Sequence, residues 1–343
     1  MFYLYVLLAC SDDPAKQSAL EEETDIPEDA ASTAVNPVVF PASDVADSTV
    51  DLILNWFAVA DEAWFTEDSF GWDQFNPVYI AITGEDMPAT IDMEQQYCSY
   101  IQENHPDSVQ HSKCNPTYVD PNCSDGICLF TEYVTNGGAA IASSRQNDGY
   151  HLMIMAAKNP SPGEEDYKQV VLHEAFHIFQ ISQHTETDYQ VGEQKLGGQS
   201  GDHDAPVPWW MEGVAEYMSI LLYASQPGVD ATYANQAFRR KLGNTAGSSA
   251  TPVIDEYFDL GIKLYNIKYD QNAMFGYMIG AWFVAYLASE HGEQALFDFY
   301  EDVNEVMFAD NFLHHFGKEY RQYVDEFEVF LQQPIDDLLS IIP

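Results

Sequence analysis

Basic residues are scarce in this sequence. The 343-residue chain carries 13 Lys and Arg against 55 Asp and Glu, a formal net charge of −42. Such a chain repels a phosphate backbone, which excludes nucleic acid as a partner. The acidity reads as a strongly solvated surface suited to salty surroundings, with selection for a cationic substrate as the other reading. Long apolar runs are also missing. Beyond the first ten residues no segment is long and apolar enough to be a transmembrane helix. The stretch 272–287 is almost wholly apolar, but Gly276 and Gly280 break it, so it reads as a core helix. No internal repeat is present, which excludes a solenoid. Cysteine is sparse and clustered. Cys10 stands near the start, while Cys98, Cys114, Cys123 and Cys128 share one polar, turn-rich stretch.

What is present is a folded protein's composition, with 46% hydrophobic and 14% aromatic residues. The start, Met1 to Ser11, is an apolar run too short to span a bilayer and fits a signal peptide. Residues 11–47 are rich in Asp, Glu, Ala, Ser and Pro and read as an acidic tether. A helix is expected from Ser48, with Leu52, Ile53, Trp56, Phe57 and Ala60 at helical spacing. A buried strand is expected over 77–84, stopped by Gly84. The cysteine stretch, 97–128, reads as mostly loop. In an exported protein its four cysteines make two disulfides with three possible pairings, and a second zinc site is the rival reading. Strands at 138–144 and 150–155 flank Asn147-Asp148-Gly149, which predicts an antiparallel hairpin. His151 then reads as a half-exposed strand residue or a substrate contact.

The densest chemistry lies at His173-Glu174-Ala175-Phe176-His177. On a helix the two histidines project from one face and can reach one ion, and Glu174 stands beside them as a proton acceptor. A capping box predicts where this helix starts, with Ser161 at the N-cap, Pro162 at N1 and Glu164 at N3. By chance alone an H-E-x-x-H arises in such a chain about one time in fifty. A third ligand is therefore required. Glu212, in Trp209-Trp210-Met211-Glu212-Gly213-Val214-Ala215-Glu216-Tyr217, supplies a carboxylate among apolar neighbours, where an unpaired charge would be costly. Glu216 lies on the same helical face and can orient His173. Residues 182–207, rich in Gly, read as an inserted loop lining a cleft. A third histidine at H-E-x-x-H-x-x-G-x-x-H spacing is absent, because Gln180 and Gln183 occupy those positions. His184 reads as a loop residue, and His203 as a solvated loop histidine or a cleft contact. Helices are expected over 296–308 and 316–331.

Together the two motifs resemble the gluzincin metallopeptidases, in the branch carrying W-x-x-E-G-x-A-E-[YF]. The resemblance covers roughly residues 130–331. It implies an α+β, zincin-like fold: a small mixed β-sheet over the active-site helix, followed by a helical C-terminal subdomain. The divisions are then 1–10, 11–47, 48–181 and 182–343. It implies Zn2+ held by His173, His177 and Glu212, with Glu174 as general base on a peptide or protein substrate. Tyr277, in Tyr277-x-x-Gly280, looks like the tyrosine that donates a hydrogen bond to the oxyanion, or else is one more core aromatic. The rival function is a catalytically silent zinc-binding protein acting in binding or envelope assembly. Coincidence of the motif is the remaining reading. No G-x-M-E-N-type exopeptidase signature is present. Leu7-Leu8-Ala9-Cys10 resembles a bacterial lipobox, although no Lys or Arg precedes it. It implies export and membrane anchoring through lipidated Cys10, with an ordinary secretory signal as the alternative.

Overall fold

Two runs of six residues, Val78–Thr83 and His151–Ala156, are buried along their whole length. Strands buried on both faces must be covered twice, and they pair in parallel through a crossover. The computed structural model describes residues 35–65, 74–107, 114, 130–199 and 206–343. Cys10, Cys123, Cys128 and His203 lie outside them.

In chain order the first half forms β1 (Val38–Pro41), α1 (Asp47–Trp64), β2 (Val78–Thr83), α2 (Met87–Asn104), α3 (Thr131–Asn136), β3 (Ala139–Ser143), α4 (Arg145–Asp148), β4 (His151–Ala156) and α5 (Glu165–Ser182). The second half is helical: α6 (Tyr189–Leu196), α7 (Met211–Ala224), α8 (Tyr233–Lys241), α9 (Pro252–Leu260), α10 (Ala273–His291), α11 (Gln294–Glu301), α12 (Phe308–Phe316), α13 (Tyr320–Phe330) and α14 (Ile335–Leu339). The protein is thus α+β with a small mixed sheet of order β1-β2-β4-β3. β1, β2 and β4 run parallel, and β3 is antiparallel to β4.

Side chains alternate across a strand, so β2 and β4 feed two cores. Ile80, Ile82, Met153 and Met155 pack with Ile53, Phe57, Val171 and Ala175 of α1 and α5. Tyr79, Ala81, Leu152 and Ile154 pack with Met93, Tyr97 and Ile101 of α2. The first of these cores continues without interruption into the helical half, through Trp210, Trp282, Phe312 and Phe327. α7 packs between α5 and α10.

Several expectations are corrected. Val38–Pro41, at the end of the expected tether, pairs with β2 as an edge strand. Cys98 sits on α2 rather than in a loop, and it is disulfide-bonded to Cys114, so these two are not metal thiolates. The hairpin forms, but α4 connects its strands in place of a tight turn, and Gly149 closes that helix at φ 79°. His151 is fully buried on a central strand, because β3 covers its edge. Its Nε2 donates to the Gln74 carbonyl at 3.1 Å. The capping box sits one turn before the helix: Glu164 itself is the N-cap of α5. Half of the box survives, since the Glu164 carboxylate accepts from the Ser161 amide at 3.1 Å. The inserted loop contains α6, and His184 just ahead of it is buried. The helix expected over 296–308 ends at Glu301, and a new one starts at Phe308.

Candidate metal centre

α5 presents His173 and His177 one turn apart, and α7 brings Glu212 to them from the facing helix. The approach of α7 to α10 depends on glycine. A Cβ on Gly213 would stand 2.6 Å from the Gly280 carbonyl carbon, and one on Gly280 would collide with the Trp209 carbonyl. The two helices therefore cross almost backbone on backbone, which holds Glu212 close to its partners.

Three donor atoms converge. His173 Nε2 and His177 Nε2 are 3.0 Å apart, and Glu212 Oε2 is 3.1 and 3.0 Å from them. All three residues are buried. The placement of their protons decides what the cluster can hold. The Gln180 amide donates to the Met211 carbonyl at 3.0 Å and to the Tyr300 hydroxyl at 2.7 Å. Its oxygen is thereby turned to His177 Nδ1, 2.6 Å away, and can only accept. The imidazole proton is on Nδ1, and the Nε2 lone pair faces a carboxylate and a second imidazole. A lone pair facing an anion at this distance requires a cation between them. Without an ion that cation is a proton. Although burial opposes charge, Glu212 outweighs it and lifts His177 to about 9. The same pairing holds the Glu212 carboxyl far below the usual range against its own burial. Donors about 2.0–2.1 Å from a tetrahedral ion stand about 3.3 Å apart, close to what is seen. The residues present fit a divalent metal ion.

The surroundings are specific. Tyr269 donates to the other Glu212 oxygen at 2.6 Å. Glu216 Oε1 faces His173 Nδ1, but at 3.9 Å this is longer than a hydrogen bond. Glu216 instead accepts from Lys241 at 2.7 Å and Gln169 at 3.1 Å. Burial would raise its pKa, and Lys241 with His173 outweighs that and lowers it. Glu174 is buried beside the triad, and its Oε2 has no hydrogen-bond partner among the described residues. Burial raises its pKa against the opposing charges of His173 and His177, and Glu212 and Glu216 add to the rise. The Tyr277 hydroxyl is likewise buried, with no hydrogen bond within 3.5 Å among the described residues; Glu212 is near enough to raise its pKa, after burial, and its ring lies 6.4 Å from that of His173.

Every predicted site residue within the described chain, His173, Glu174, His177, Glu212, Glu216 and Tyr277, is gathered at one place. Sequence reading missed Gln180 as a partner of His177, and also Gln169, Lys241 and Tyr269. Gln180 alone carried a signal, three residues beyond His177 on the same helical face. A second group, Asp302, His314 and His315, meets nearer the surface, with His315 Nε2 3.0 Å from Asp302 Oδ2. Comparison with family models, with curated proteins and with solved structures finds no match to this chain.

Proposed function

We propose that the protein is a zinc-dependent metallopeptidase. The observation that carries the reading is the convergence of His173 Nε2, His177 Nε2 and Glu212 Oε2 beside a buried carboxylate, Glu174, whose Oε2 has no hydrogen-bond partner among the described residues. Two imidazoles and one carboxylate are a donor set suited to zinc with an open position for chemistry. Bound there, zinc supplies Lewis acidity toward a scissile carbonyl and toward water.

The chain's own residues do the rest. Glu174, poised by burial to accept a proton, takes one from the attacking water and returns it to the leaving amine. The Tyr277 hydroxyl, which has no hydrogen bond within 3.5 Å among the described residues and stands near the Glu212 carboxylate, donates to the oxygen that gains negative charge. Gln180 holds His177 in the tautomer that turns its lone pair inward. Tyr269 fixes the Glu212 carboxylate, and Glu216, anchored by Lys241, sets a negative charge behind His173. The small sheet over α5, with helices following, supports a zincin-like assignment. The disulfide between Cys98 and Cys114 supports export to an oxidising compartment and, with Leu7-Leu8-Ala9-Cys10, a lipid-anchored envelope protein.

The test is digestion of a broad peptide library with product mapping. Wild type cleaves and a chelator abolishes cleavage, while Glu174→Gln keeps its metal and cleaves nothing. A wild type that retains metal but cleaves no peptide contradicts the reading and favours a silent zinc-binding protein.

A further inference from the structure

α6 lies in the segment joining the two ligand-bearing helices. Asp188 caps it, accepting from the amides of Gln190 and Val191 at 3.0 and 3.2 Å, and Gly197 ends it at φ 77°. This helix carries Glu193, whose carboxylate is near enough to Glu212 and His177 to feel their charges. A Cβ on Gly198 would collide with Glu193 Oε2 and stand 2.8 Å from Met211 Sδ, so the carboxylate occupies the space beside Met211. Met211 immediately precedes Glu212. The charges of Glu212 and His177 both act on Glu193, and Glu193 in turn acts on Tyr269.

Among the described residues the carboxylate has no ion-pair partner, no hydrogen bond reaches it, and the only cation that acts on it is His177 when protonated. Lys195, two residues on, is committed elsewhere, donating to the Asn304 carbonyl at 2.6 Å with Glu186 4.0 Å away. Glu216, the other outlying carboxylate, has Lys241. Burial, and then Glu212, push Glu193 up to about 7, as happens when an anion is enclosed without a cation. The residue is only half-buried, so an incoming group can reach it. Fully ionised, Glu174, Glu193, Glu212 and Glu216 would carry one negative charge more than Lys241 and a bound divalent ion supply, and a cation brought beside Glu193 favours its ionised form.

Resting on the peptidase reading, we infer that Glu193 is a specificity residue. It selects substrates that bring a cationic nitrogen, from a Lys or Arg side chain or a free α-amino group, close to the scissile bond. The pairing completes the charge balance of the cleft only when such a substrate is bound.

The experiment is calorimetric titration of the zinc-loaded Glu174→Gln protein, which does not consume its ligand. The probes are an N-acetylated neutral hexapeptide, the same peptide with Lys placed at each position in turn, and the neutral peptide with a free amino terminus. One cationic probe binds tenfold to a hundredfold tighter than the acetylated parent, roughly what a charged hydrogen bond contributes. In Glu174→Gln/Glu193→Gln that advantage falls to about twofold or less, with zinc content measured alongside. A gain in the Lys series assigns a side-chain subsite, and a gain in the free-amine probe assigns recognition of the substrate's end. Equal binding of charged and neutral probes, no detectable binding of any cationic probe, or an advantage that survives Glu193→Gln overturns the inference. Library digestion by wild type fails separately: absence of cleavage sinks the peptidase reading, and the binding preference stands or falls on the titration.

Discussion

Gln180 decides what His177 can be. Because its amide nitrogen is already used by Met211 and Tyr300, its oxygen fixes the ring's tautomer. Gln180→Leu removes that constraint, and zinc affinity drops about 10–100-fold, read by competition with a chromogenic chelator. On the proposed function Tyr277 acts at a different step. Tyr277→Phe retains stoichiometric zinc, while kcat falls by about 10²–10³, typical of a lost oxyanion donor. An unchanged kcat assigns Tyr277 to the core. His151 tests the fold itself. Burial lowers its pKa from 6.5 to about 4. The unfolded chain therefore takes up a proton below its ordinary value, and the folded chain does so only near 4. Stability from this residue is complete above 6.5 and is lost as pH falls toward 4, by up to about 3 kcal/mol. In denaturant titrations across this range, His151→Gln shows a pH slope shallower by about one proton.

At the scale of elements, the crossing of α7 and α10 sets where Glu212 stands. Gly280→Ala forces a methyl group into the Trp209 carbonyl, and neither helix backbone can yield without moving the ligand. Its denaturant midpoint falls, by about 1–3 kcal/mol or more, and zinc binding weakens with it. Gly163→Ala is the control, because nothing lies within 4 Å of its added methyl. Elements with a strong period were legible: α5, β2 and α10 stand where their apolar patterns put them. β1 was not, because its four residues lie in acidic surroundings and gain their register from β2, some forty positions away. α2 was hidden by its polar, cysteine-containing sequence, in which Thr90, Glu94 and Cys98 share the buried face with the stripe Ala89, Met93, Tyr97 and Ile101. The site divides in the same way. His173, Glu174 and His177 follow a local spacing rule and were readable, and Glu212 and Glu216 follow another. Lys241 and Tyr269 arrive from α8 and a loop before α10, and no spacing connects them to the residues they hold.

Across the whole molecule the charge imbalance of −42 dominates. Self-repulsion among carboxylates opposes the compact state, and salt screens it over about 10 Å at 0.1 M. Thermal midpoints in sodium chloride therefore rise between low ionic strength and about 1 M, where the screening length is about 3 Å. A midpoint independent of salt contradicts a destabilising role for this repulsion. On the proposed function the same imbalance favours encounter with cationic peptides, and on-rates for a Lys-containing peptide fall as salt rises.

The most direct test of the metal centre is metal content after exhaustive dialysis, by elemental analysis of wild type, Glu174→Gln and Glu212→Ala. One zinc per chain in wild type and in Glu174→Gln, with Glu212→Ala reduced well below one, is the predicted result. Substoichiometric zinc in wild type, or full zinc in Glu212→Ala, contradicts it.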